Sequence, residues 1–407
     1  MPPLLEGIKV VEWSVYVMGP LAGVMLSDLG ADVIKIEDPK SGGEILRGLR
    51  FTNGTVDAAM PGGRNAAFEA MNWNKRSIGL DLKTPEGREL AYQLVETADI
   101  FLTNYQPAVI ERLGMDYETL RQRNSRLIYA QGSAFGEQGP DRDRPGNDYT
   151  GQARSGMMWG PGTDADPPLY HTGAPCDIGG AILLSHGIIT ALLARERSGE
   201  GQKIDVSNLG AGMWFQYWAV GITLLTQNKW PRIDRRRPGN PLWNHYPCAD
   251  GEWLAMACLL PENWEAFCRV TGREDLLADD RFKDLEGQRK NALELNAILD
   301  AHFQSRPRHE WEAILAQDPS LAFERMQRVE DLREDEQVLA NEYITTIDHP
   351  VYGPAQVQNY PMQFSETPWL QRRPAPDFGE HTLEVLSQEL GLSAEKISEL
   401  MAAGIAG

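Results

Sequence analysis

The sequence predicts an α/β fold: a parallel sheet covered by helices on both faces, followed by a smaller domain. Three observations carry this reading. Short β-branched runs alternate with helical stretches through the first third of the chain. A long apolar helix and a further strand continue the rhythm. Beyond Asn228 the texture changes to sequence rich in Arg, Pro and Asn. A length of 407 residues suits two or three domains.

The elements follow in order. Ile8–Ser14 (IKVVEWS) is a short apolar strand, and Pro20–Leu29 is a helix with Pro20 suited to its first position. Gly30 ends that helix, and Asp32–Glu37 (DVIKIE) is a second strand. Thr84–Pro85–Glu86 is a helix start, with a capping hydroxyl, a first-turn proline and an acid, and the helix runs to about Thr97. Ile100–Asn104 is a strand, Asp116–Asn124 a helix and Leu127–Gly132 a strand. Asp177–Arg197 repeats apolar residues at helical spacing and stops at Ser198–Gly199. Lys203–Ser207 is a strand and Asn208–Thr226 one long apolar helix. Two apolar runs around Asp250–Gly251 form a hairpin, and Trp264–Gln317 is helical. Val357–Pro376 is extended, and Ser393–Ala403 is a last capped helix. The chain therefore divides into residues 1–228, a small domain with linker at 229–330, and a segment at 331–407 that returns to the first part.

Composition excludes several classes. A net charge of −19, from 39 basic and 58 acidic residues, argues against nucleic-acid binding, which needs a basic face. It leaves room for a phosphorylated ligand, because a few local cations suffice there. The four cysteines form no C-x-x-C pair, and no histidine stands at metal spacing beside them, so no metal site and a reduced, cytoplasmic setting are expected. The opening MPPLLEGIKVVEW carries no basic region followed by an apolar stretch, so neither a signal peptide nor membrane association is expected. The turn Val15–Pro20 lacks G-x-G-x-x-G, and neither a P-loop nor a G-x-S-x-G elbow occurs.

Several strings resemble the family III coenzyme A transferases, of the formyl-CoA and crotonobetainyl-CoA transferase (CaiB/BaiF) type. They are GPLAGVMLSDLGADVIKIE (19–37), NWNKRSIGLDLKTPEGRELAYQLVETADIFLTNYQPAVIERLGM (72–115) and RPGNDYTGQARSGMM (144–158). CDIGGAILLSHGIITALLARERSGEGQKIDVS (176–207) and PAPDFGEHTLEVLSQELGLS (374–393) continue the likeness, which spans nearly the whole chain. The resemblance implies a Rossmann-like large domain and a small domain joined into a ring. It implies an interlocked homodimer or a heteromer with a homologous subunit. It also implies acyl-CoA and a carboxylic acid as substrates, with no tightly bound cofactor.

By the same resemblance, Asp177 falls where the family carries its catalytic aspartate. Read from residues alone, Asp177 is more simply an ordinary helix cap, and the two readings do not exclude each other; a helix N-terminus favours the ionised carboxylate that a nucleophile requires. Lys75 and Arg76, with Lys40 and Arg112, are candidates for the coenzyme phosphates, Lys75 and Arg76 being a solvated pair on the plainer reading. Asn104 and Tyr105 end a strand where open α/β sheets bind ligands; Tyr105 either stacks on adenine or packs in the core. Val17, Met18 and Asn74 complete the coenzyme-binding candidates. Two other readings stay open: a racemase or epimerase of 2-methylacyl-CoA, and a non-catalytic coenzyme A-binding partner subunit. Racemases of the superfamily resemble G-H-D-x-x-Y, whereas this chain has Gly146–Asn147–Asp148, and an amide cannot shuttle a proton near neutral pH.

Overall fold

The computed structural model describes residues 2–52, 56–367 and 373–407. Two compact units emerge. The larger combines Met1–Met158, Tyr170–Asn228 and Glu336–Gly407; the smaller combines Trp159–Leu169 and Lys229–Asp335. The change of texture after Asn228 marks this division. The inclusion of Trp159–Leu169 in the smaller unit departs from the contiguous expectation. Arg232 explains it: its guanidinium donates to the carbonyls of Pro161 (2.6 Å) and Asp166 (2.7 Å), tying that stretch to the chain beyond Asn228.

The larger unit is built on β1 (Lys9–Trp13), β2 (Asp32–Glu37), β3 (Arg76–Gly79), β4 (Ile100–Thr103), β5 (Ile128–Ser133) and β6 (Lys203–Ser207). All pair in parallel, in the order β3-β2-β1-β4-β5-β6. Side chains alternate across each strand, so neighbouring residues serve opposite faces. Val10, Val33, Leu102 and Ile128 pack under α1 (Met18–Asp28) and α4 (Pro175–Ser198). Val11, Ile34, Phe101 and Tyr129 face α2 (Pro85–Glu96) and the C-terminal helices, whose Val385, Leu386, Ile397 and Leu400 complete that core. Gly79 accepts this return: its amide and carbonyl bond Gly407, and a Cβ there would stand 2.3 Å from the Gly407 carbonyl oxygen. The strand order reverses between β1 and β4, which opens a crevice at their carboxyl ends.

Thr84 caps α2 as its sequence predicts, accepting from the Gly87 amide at 3.0 Å. The α1 helix begins at Met18, ahead of Pro20. The single long helix expected over Asn208–Thr226 is two, α5 (Asn208–Phe215) and α6 (Tyr217–Thr226). Gln216 divides them, its side-chain amide donating to the Ser155 and Gly212 carbonyls at 3.2 and 3.0 Å. By length and composition α4 could cross a membrane, but half of its most apolar window is buried, with Leu184 and Ile188 in the sheet core. Residues 368–372 of the expected extended stretch lie outside the described residues.

In the smaller unit, Trp243–Pro247 and Trp253–Ala257 form the predicted antiparallel hairpin, and Phe323–Arg325 adds a third strand. Helices including Glu262–Thr271, Ala292–Phe303 and Arg308–Leu315 pack around Tyr246, Phe267, Phe303 and Trp311.

Candidate active site

The first turn of α4 sets the site. Its cap, Ala174, is left-handed at φ 54° and contributes no side-chain bond. Asp148 supplies the missing acceptor from α3 (Asp148–Ser155): its Oδ1 takes the amides of Cys176 at 2.7 Å and Asp177 at 3.3 Å. Asp148 is buried, and Gln152 donates to its Oδ2 at 2.6 Å. Gln152 also holds the approach to α4, bonding the His171 carbonyl at 2.9 Å and the His171 amide at 3.0 Å.

Asp177 is therefore not the cap of its own helix; Asp148 does that work and leaves the Asp177 carboxylate to face elsewhere. Its Oδ1 accepts from Asn208 Nδ2 at 3.0 Å, while its Oδ2 takes no hydrogen bond among the described residues. Burial first, and the neighbouring Asp148 charge second, push the Asp177 carboxyl up to about 7, with the Asn208 bond opposing them. The expectation that the helix end holds Asp177 readily ionised is corrected: the same amides already serve Asp148.

Apolar groups flank this turn. A Cβ on Gly179 would lie 2.3 Å from Phe215 Cε2, and one on Gly180 would lie 2.5 Å from Met18 Cε. Glycine is thus required at both positions by close approach, and the aromatic ring and thioether bracket the helix just past Asp177.

The other candidates separate. Val17 is half-buried at the start of α1, and Met18 is buried against α4. Arg112 is exposed and has no ion pair among the described residues, so it remains open to a phosphate. Lys40 is exposed and touches Asp81 at 2.5 Å. Asn104 sits at the carboxyl end of β4, but both halves of its amide are engaged by Val15, at 2.9 and 2.7 Å. One face of Tyr105 stacks on Trp13 at 4.2 Å, and burial pushes its hydroxyl up to about 12, which supports the core-packing reading.

Three candidates are removed by their surroundings. Lys75 is buried, and its ammonium meets Glu12 Oε2, the Pro20 and Met71 carbonyls and Asn72 Oδ1, each at 2.9 Å, leaving no proton for a ligand. Asn74, left-handed at φ 64°, bonds Asp28 and the Arg373 amide. Arg76 lies at the amino end of β3, away from the crevice, and bridges Asp32, Glu384 and Glu389. Asn74 and Arg76 tie the C-terminal segment to the sheet region, and Lys75 ties β1 to the turn and helix around it.

Asn147, standing where racemases resemble histidine, is exposed and caps α3, accepting from the Thr150 amide at 3.3 Å. Cys176 is fully buried, and burial pushes its thiol up to about 12, so it packs rather than reacts.

The family model for CoA-transferase family III matches residues 5–382. The chain belongs to CoA-transferase family III. Among its relatives in that family, (R)-2-hydroxy-4-methylpentanoate CoA-transferase of Clostridioides difficile is 33% identical, with 97% of each chain covered. Cinnamoyl-CoA:phenyllactate CoA-transferase of Clostridium sporogenes is 32% identical over 98% of this chain and 96% of its own. Among solved structures, a CaiB/BaiF family protein from Brucella suis superposes with a TM-score of 0.84 at 29% identity, covering 95% of this chain and 99% of that one. As a family III CoA-transferase the protein handles acyl-CoA and carboxylate substrates.

The sequence pattern does not reveal Asp148, Gln152 and Asn208 as parts of this family III site. Asp148 and Gln152 share a face of α3 at i, i+4 spacing, which is the one local signal; Asn208 reaches Asp177 only through the fold.

Proposed function

We propose that the protein moves coenzyme A from an acyl-CoA donor to a carboxylic acid through a covalent intermediate on Asp177. The observation that carries this reading is the half-held carboxylate: Oδ1 fixed by Asn208, Oδ2 without a hydrogen bond among the described residues, on a helix whose cap is provided by another acid. In the ionised form, an Asp177 oxygen attacks the thioester carbonyl. The C–S bond breaks, coenzyme A leaves as thiolate, and an acyl-aspartyl anhydride forms. The thiolate then attacks the Asp177 carbonyl, expelling the donor carboxylate and leaving an aspartyl thioester. The acceptor carboxylate attacks that thioester and the thiolate departs again. Thiolate attack on the acceptor carbonyl of the new anhydride releases acyl-CoA and restores the carboxylate. The thioester energy stays in covalent form throughout, so no ATP is required. A carboxylate near neutral pKa is poised for this exchange, provided the thioester is held close and aligned.

The exposed Phe215 ring beside the nucleophile favours acids with an apolar or aromatic body, in keeping with the branched and aryl acids named for the two Clostridium-type relatives. Arg112 and Lys40 are the cations we assign to the coenzyme phosphates, and the turn at Val17 to the coenzyme's path.

The assembly we propose is an interlocked homodimer. Trp214, Tyr217, Trp218, Leu224 and Leu225 stand exposed on consecutive helices of the larger unit, a concentration of apolar surface that a second copy would cover. Its four cysteines are free and buried, which fits a reducing, cytoplasmic setting.

The test is a screen of the pure protein with several acyl-CoA donors and many acceptor acids, read by mass spectrometry. Exchange of coenzyme A between acids is expected, without deuterium entering the α-position of a 2-methylacyl-CoA. Rapid α-deuteration with no exchange would establish a racemase instead.

A further inference from the structure

The turn after β1 lies where the strand order reverses, and side chains from three other segments hold it. Asn104 bonds both the amide and the carbonyl of Val15. Lys35 Nζ donates to the Ser14 carbonyl at 3.0 Å. The Tyr16 amide donates to Glu44 Oε1 at 2.7 Å. Tyr16 itself is left-handed at φ 64°, a conformation that a tyrosine keeps only when its surroundings impose it.

The Glu44 carboxylate belongs to a buried row of alternating charge. It pairs with Lys35 at 2.7 Å; Lys35 pairs with Glu12 at 3.0 Å; Glu12 pairs with Lys75 at 2.9 Å. The side chains of all four are at most 1% exposed, and none has a part in the transfer chemistry. Buried ion pairs contribute little net stability compared with apolar residues of the same size, so stability alone does not account for this row. Its geometry does: the row ends on the backbone of the turn. Met18 continues from that turn into α1 and packs against Gly180, one turn beyond Asp177.

We infer that Glu44 is a positioning residue: held by Lys35, it fixes the Tyr16 amide and so presets the turn over which coenzyme A is bound. This rests on the transferase reading for its ligand, but not for the state of the turn.

Two variants of the full chain separate the possibilities. Lys35→Met with Glu44→Met removes the acceptor, both charges and the Lys35 bond to the Ser14 carbonyl together, and leaves Glu12 paired with Lys75, so no unpaired charge stays behind; the Tyr16 amide, which among the described residues bonds Glu44 alone, is therefore the group read. Glu44→Gln keeps an acceptor oxygen. Hydrogen exchange of the Tyr16 amide should quicken about 10- to 100-fold in the double variant, the range for losing a bond to a charged group, while amides of β1 keep their protection. Binding of free coenzyme A, by calorimetry, should weaken about tenfold. Glu44→Gln should lie close to wild type in both readouts. A Tyr16 amide as protected in the double variant as in wild type would overturn the inference. So would undiminished coenzyme A binding despite a loosened turn, or Glu44→Gln behaving as the double variant does. If wild type bound no coenzyme A, the transferase reading would fall, and the exchange result would still decide whether Glu44 holds the turn.

Discussion

Asp177 carries opposing demands: it must be ionised to react, yet it is half-buried beside Asp148. Its carboxyl is raised to about 7, so wild-type transfer should fall as pH drops through that value. Asp148→Asn removes the neighbouring charge and should move the acidic limb of the pH–rate profile to lower pH. The same shift bears on stability. The folded state holds the Asp177 proton more tightly than the unfolded chain, so this stabilising term is full below the ordinary carboxyl value and is lost as pH rises through about 7. Asp177→Asn abolishes the dependence. Its melting temperature should exceed that of wild type most clearly at pH 8, and the difference should shrink toward pH 4–5; a constant difference across that range would contradict the burial argument. At this scale the sequence is readable only where a residue's role is local. Asn147 belongs to that class, because an amide in place of an imidazole cannot shuttle a proton whatever surrounds it. Lys75 does not: in sequence it is a basic residue before a strand, and its burial depends on Glu12, 63 positions away.

At the scale of elements, strands and caps were legible because they rest on local chemistry. β2 and β6 run as their β-branched pattern dictates, and Thr84 caps α2 with the bond its sequence implies. Two features were hidden. The cap of α4 comes from Asp148 on another helix, and the break at Gln216 is made by a bond to Ser155. No window of local sequence contains either partner. The contact between α1 and α4 gives a further prediction. Gly180→Val would drive a side chain into Met18, which a Cβ alone already approaches to 2.5 Å. The variant should lose about 1–3 kcal/mol in urea unfolding, the usual cost of overpacking. It should also lose transfer out of proportion at temperatures where it remains folded, because the turn that shifts carries Asp177.

At the scale of the molecule, the parallel sheet and the return of the C-terminal segment were legible in sequence, and apolar residues on the two sheet faces pack against helices on either side; the strand order was not, because it depends on pairings between distant strands. Nor was the place of Trp159–Leu169 in the smaller unit, because it depends on backbone carbonyls that Arg232 reaches. The exposed apolar helices α5 and α6 mark the surface proposed for a second copy. Trp218→Asp with Leu225→Asp should lower the yield of folded dimer on refolding from denaturant, because the patch must associate before the chains close; an unchanged yield would place the contact elsewhere. Wild type, if interlocked, should remain dimeric on dilution until it unfolds.

Whether Asp177 itself carries the transferred group is decided by mapping the covalent adduct. Wild-type protein is incubated with an acyl-CoA donor found active in the exchange screen, treated in parallel with hydroxylamine and with borohydride, digested and mapped by mass spectrometry. A hydroxamate and a reduced side chain are expected at Asp177, absent when the acyl-CoA is omitted and absent from Asp177→Asn. Modification at Cys176 or at another acid, or substantial transfer by Asp177→Asn, would contradict a carrier role for Asp177.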